Sequence, residues 1–139
     1  MSDDFQQRGG SPWGTPPGGG GGNGSGRGPT PPDIEKIIVD TLNLLRSSYD
    51  YVFTTGGIGP THDDITAQSV SKAFGIKYEI HKEAFKILEK YYQPGEFNKG
   101  RQKMAWMPEN AKLILNPTSG APGFNVENVY SLPGVPSIL

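Results

Sequence analysis

The chain has 139 residues, 13 basic and 14 acidic side chains, a formal net charge of −1 and no cysteine. A disulfide framework, a thiolate nucleophile and a cysteine-ligated metal are thereby excluded, and without a Lys/Arg run a basic nucleic-acid-binding patch is not expected. The longest apolar runs are as short as Ile37-Ile38-Val39 and no apolar signal segment opens the chain, so no membrane span is expected and the location expected is cytoplasmic.

Residues 1–32 hold 11 glycines and 6 prolines, with only Asp3, Asp4, Arg8 and Arg27 charged. Such a stretch buries too little apolar surface to offset the entropy of ordering it, so it reads as a disordered Gly/Pro-rich tail. The foldable part is residues 33–139. Asp33 is placed to cap a helix, with Glu35 in its first turn. Ile34, Ile37, Ile38, Leu42 and Leu45 follow at helical spacing, up to Ser47-Ser48. Tyr51-Val52-Phe53-Thr54 predicts a buried strand. A loop over 55–64 leads into a second helix through Ile65, Val70, Ala73 and Phe74, stopped by Gly75. Residues 77–80 predict a short extended segment. A third helix is predicted over 83–92, broken by Pro94-Gly95, and a fourth over 99–107, ended by Pro108. His81 is expected as a polar residue at a strand end. Tyr91, Tyr92 and Trp106 are expected to pack. Leu113-Ile114-Leu115 and Val129-Tyr130-Ser131-Leu132 predict strands, and residues 124–126 can pair with the latter through a Glu127-Asn128 turn. Helices alternating with short apolar strands predict an α/β layered domain with a mostly parallel sheet.

The densest chemical signal lies over 54–66. A strand runs into Gly56-Gly57-Ile58-Gly59 and then into a helix, the place where open α/β sheets bind ligands. Glycines permit close backbone approach and positive φ, and successive amides at a helix start suit a phosphate. No Lys follows, so the loop is not a Walker A motif, and His62 stands where a dinucleotide-binding loop has its third Gly. Asp63 and Asp64 beside an anion site suit Mg²⁺ or another divalent cation; taken alone, either reads first as a cap of the following helix. His62 reads as an unliganded loop histidine.

The run Phe53-Thr54-Thr55-Gly56-Gly57-Ile58-Gly59-Pro60-Thr61-His62-Asp63-Asp64-Ile65-Thr66 resembles the signature of the MoaB/Mog-type molybdopterin-binding domain, and its Gly-Pro-Thr-His-Asp-Asp-Ile-Thr wording is similar to the CinA-like branch. Arg101, Met104-Ala105, Met107-Pro108, Asn116-Pro117, Ala121-Pro122-Gly123 and Leu132-Pro133-Gly134-Val135-Pro136 match in order and spacing. The match covers about residues 34–139. Separately, Pro12-Trp13-Gly14, the Gly/Asn-rich run and Pro31-Pro32-Asp33 resemble the N-terminal head of HflK-type proteins, without the membrane helix that follows there.

The resemblance implies a three-layer α/β domain, often trimeric, that binds the phosphate of molybdopterin on the Gly-Gly-x-Gly loop. In the CinA-like branch it implies hydrolysis of nucleotide pyrophosphates such as ADP-ribose. Carried onto this chain, it makes Asp64 the catalytic residue, assisting metal or phosphoryl chemistry. It makes Thr55, Gly56, Gly57 and Gly59, with Thr61 and Thr66 beside them, the phosphate cradle. Pro133, Gly134 and Pro136 become pocket wall, and Asp63 and Asp64 become metal ligands. The expected partner is a small phosphorylated ligand, with homo-oligomers allowed. Family members also carry a first strand with a Gly-Asp-Glu loop and a final helix that this sequence does not show. It therefore reads as an incomplete domain of low activity alone, with a non-functional product of gene rearrangement as a further reading.

Overall fold

A computed structural model describes residues 33–135. The tail expected over residues 1–32, its HflK-like resemblance and Pro136 lie outside the described residues.

Helix α1 (Ile34–Ser48) starts where Asp33 accepts a hydrogen bond from the Lys36 amide at 3.1 Å, as its capping position predicts. Leu42 is its buried residue, and Ile38, Val39 and Leu45 pack beside it on the core. Strand β1 (Val52–Thr55) follows, then α2 (Thr66–Phe74), which Gly75 closes in the left-handed conformation at φ 66°. The Arg46 guanidinium lies 4.2 Å from the centre of the Phe74 ring and ties α1 to α2.

Strand β2 (Tyr78–Ile80) leads into α3 (Lys82–Tyr91). His81 is more than a strand-end residue: its Nδ1 accepts from the Ala84 amide and caps α3. The ring's proton then sits on Nε2, which meets the Ala111 carbonyl at 3.0 Å. The fourth predicted helix is shorter than its spacing suggests. Helix α4 (Lys99–Gln102) passes into a 3₁₀ turn (Lys103–Ala105), and Trp106 leaves it as strand β3 (Trp106–Pro108). The reason is tertiary: β3 pairs antiparallel with β2, and Trp106 packs on Tyr78 at 5.4 Å between ring centres. Tyr92 stacks on Phe97 and lies under the Arg101 guanidinium, as a packing residue should.

Strands β4 (Lys112–Ile114), β5 (Gly123–Val126) and β6 (Val129–Leu132) complete the main sheet, in the order β1-β6-β5-β4. Only β1 and β6 are parallel among the described strands; β6–β5 and β5–β4 are antiparallel. The expectation of a mostly parallel sheet is therefore corrected to a mixed one. The physical cause is connection length: two residues, Glu127 and Asn128, join β5 to β6, and such a link allows only a hairpin. One face of the sheet carries Val52, Val129, Phe124 and Ser131, all buried. The expectation that β1 is buried holds for Val52 alone. On the other face Phe53 is 63% exposed and stacks on Tyr130 at 5.2 Å.

Candidate functional site

Because β1 and β6 run parallel, both release the chain at the same end of the sheet. The register sets Thr55 beside Leu132, and the Gly56 amide donates to the Leu132 carbonyl at 2.9 Å. The glycine-rich loop and the Pro133-Gly134-Val135 segment then leave side by side. A Cβ on Gly134 would lie 2.8 Å from the Gly56 Cα, so the two segments meet backbone to backbone.

The glycines serve the loop's own packing. Gly57 has φ 69°, and a side chain there would run into that of Thr66. Thr66 in turn binds the loop twice: its amide donates to the Gly57 carbonyl at 2.9 Å, and its hydroxyl donates to the Gly56 carbonyl at 3.0 Å. At Gly59 the space of the missing side chain is taken by the Asp64 carboxylate, 2.8 Å from where a Cβ would stand.

Asp64 organises the far end of the loop. Its Oδ2 accepts from the Thr61 amide at 3.0 Å and from the Thr61 hydroxyl at 2.7 Å. Partial burial pushes its pKa up. The Thr61 hydroxyl, the Thr61 and Gly59 amides and the Lys103 charge together outweigh that and hold it below the usual carboxylate range. Neither aspartate caps α2, whose N-cap is Ile65 with no side-chain hydrogen bond. Asp63 and His62 are exposed and face one another at 3.3 Å.

A cleft of about 320 Å³ opens between the two segments, lined by Gly56, Gly57, Gly59, Asp64, Pro133 and Gly134 together with Ile58, Pro60, Met104, Ala121 and Val135. Its size is at the lower end for small-molecule sites. Beneath it lies a pit of about 10 Å³ where Lys103, Tyr78 and Trp106 meet Gly57, Gly59 and Asp64; burial pushes the Tyr78 phenol up, so it stays neutral. Of the residues expected at the site, Thr55, Thr61, Thr66 and Asp63 are not part of the cleft wall. Thr61 and Thr66 are spent on the loop itself. Lys103 carried no signal of its own in the sequence, since its partners lie some 40 positions away.

The described side chains do not make a cation cage. Among the described residues no three His, Asp or Glu side chains converge. Asp63 is turned to His62, and Asp64 Oδ2 already receives two hydrogen bonds.

Comparison with known proteins agrees with this geometry. The family described as "Probable molybdopterin binding domain" matches residues 26–139. A protein of Archaeoglobus fulgidus is 38% identical over 108 residues, 78% of this chain and 46% of its own length. A CinA-like protein of Geotalea uraniireducens is 40% identical over 110 residues, 75% of this chain and 26% of its own. The chain thus spans less than half the length of these relatives. The crystal structure of CinA from Thermoplasma acidophilum, a protein with unknown function by its own description, superposes with a TM-score of 0.69 at 32% identity, covering 75% of this chain and 64% of that one. No helix among the described residues is long and apolar enough to cross a membrane. A mixed α/β sheet, a glycine-rich loop opening a helix and sequence kinship over most of the chain converge: this chain belongs to the probable molybdopterin-binding domain family, in its MoaB/Mog-type, CinA-like branch.

Proposed function

We propose that the domain binds a phosphorylated pterin or nucleotide in the cleft between the glycine-rich loop and the Pro133-Gly134-Val135 segment. The observation that carries this reading is the convergence of both segments at the carboxyl ends of two parallel strands, where α/β proteins receive ligands. Apolar walls from Ile58, Met104, Ala121 and Val135 suit a flat heterocycle. Backbone amides of the loop and the start of α2 suit a phosphate. A divalent cation would arrive with the ligand's phosphates and not on a preformed carboxylate pair. A cytoplasmic location goes with a charged small-molecule ligand.

Binding is favoured over turnover because Asp64, the one acid among the described residues that line the cleft, accepts hydrogen bonds from its own loop and is a weak proton acceptor with its pKa lowered. The test is calorimetric titration of the chain with AMP, ADP-ribose and a pterin phosphate, each with Mg²⁺ and with EDTA. Ala121→Phe, which fills the cleft from a wall, is expected to weaken binding at least tenfold while leaving the circular dichroism unchanged. Equal affinity of wild type and Ala121→Phe would remove the cleft from the reading. Mg²⁺-dependent release of AMP from ADP-ribose would replace binding with hydrolysis.

A further inference from the structure

The glycine-rich loop has an exposed stretch, Pro60 to Asp63, yet it is anchored from outside at two points. Lys103, in the 3₁₀ turn after α4, donates its ammonium hydrogens to the Thr61 carbonyl and, at 2.8 Å, to the Asp64 carbonyl. These are the two residues whose side chains and amides form the Asp64–Thr61 hydrogen-bond pair. The neighbouring Gly100 stands against the Pro60 carbonyl, where a Cβ would be at 3.5 Å. The next residue, Met104, is buried and lines the cleft.

We propose that Lys103 is the positioning residue of this site: its ammonium clamps the carbonyls of residues 61 and 64 and fixes the curvature of the loop that holds the Asp64 carboxylate. This rests on the cleft being the ligand site only for its effect on binding. A lysine suits the task because it offers three donors on one centre and no acceptor. Two carbonyls three residues apart can share it, and its charge lies beside a carboxylate whose two accepted hydrogen bonds are strongest when it is ionised. The stem spans from a different part of the chain, so the clamp couples the corner at residues 99–105 to the loop.

The experiment compares wild type, Lys103→Met and Lys103→Arg as the full chain. Three readouts are taken: amide hydrogen exchange over residues 59–64, the Asp64 carboxyl titration by carbon NMR, and ADP-ribose affinity at pH 7. Lys103→Met is expected to speed exchange of the Asp64 amide at least tenfold, to raise the Asp64 titration midpoint and to weaken ADP-ribose about tenfold. Lys103→Arg, which keeps the charge and donors, is expected to restore most of each. Protection in α1 and α2 is expected to stay as in wild type. The clamp is overturned if Lys103→Met leaves the Asp64 midpoint and the loop exchange unchanged. It is equally overturned if protection falls uniformly across the helices, since that marks general destabilisation. Should wild type bind no ADP-ribose, the ligand reading fails alone, and the first two readouts still decide the clamp.

Discussion

Asp64 shows how one side chain can be expected for one chemistry and be held by another. Its place beside the glycine-rich loop suggests a metal ligand and the family resemblance implies a catalytic role, while its carboxylate fills the void at Gly59 and receives both donors of Thr61. The folded-state pKa is lowered, so the stabilisation it brings is fully present above the ordinary carboxylate value of about 4 and is lost as pH falls through the lowered value. Asp64→Asn is therefore expected to be less stable than wild type by a constant amount from pH 5 to 7, with the gap closing in more acid solution. Chemical denaturation at a series of pH values checks this; a gap that widens on acidification would contradict the assigned sign. The presence of a loop here was legible from the glycines alone. Its internal wiring was not, because Thr61, Thr66 and Lys103 look like ordinary polar residues until the fold brings their partners near.

Elements with local causes were legible, and those with remote causes were not. Helix α1 begins at the capping Asp33 and α2 ends at the left-handed Gly75, both written within a few residues of the boundary. The β5–β6 hairpin was likewise visible as two apolar runs two residues apart. Strand β3 was not, since its conformation comes from pairing with β2 and not from its own sequence. The hairpin turn carries a further duty. The Asn128 side-chain amide donates to the Arg46 and Tyr49 carbonyls, each at 2.9 Å, and so satisfies the end of α1 from a turn about eighty positions away in the chain. Asn128→Ala removes both bonds and should destabilise the domain by about 1–3 kcal/mol. Urea unfolding measures the loss; a change within about 0.5 kcal/mol would mean that water replaces the amide at no net cost.

At the scale of the whole molecule, the sheet ends on β1 among the described strands, and its outward face bears Phe53 stacked on Tyr130 with Tyr51 alongside. An edge strand with an aromatic face is a template for pairing with another chain. Concentrated solutions of the chain are expected to contain dimers or larger species, and Phe53→Lys, which places a charge on that edge, is expected to shift them to monomer. Light scattering after size exclusion reports the mass. Wild type that stays monomeric at about 100 μM, far above the micromolar range of ordinary association, would end this expectation.

The parallel register of β1 and β6 has a consequence for how the site comes into being. Gly56 and Gly134 are neighbours only because strands nearly eighty positions apart in the chain have paired, Thr55 with Leu132. A peptide copied from residues 54–66 therefore has no second wall, and no rearrangement within it can make one. Long-range pairing of this kind is a slow step in folding, since the entropy of closing the intervening chain must be met before any contact rewards it. The cleft should thus appear late and in one piece, at the moment the sheet closes, and a slip of one register position would exchange the buried and exposed faces of β1 and part Gly56 from Gly134.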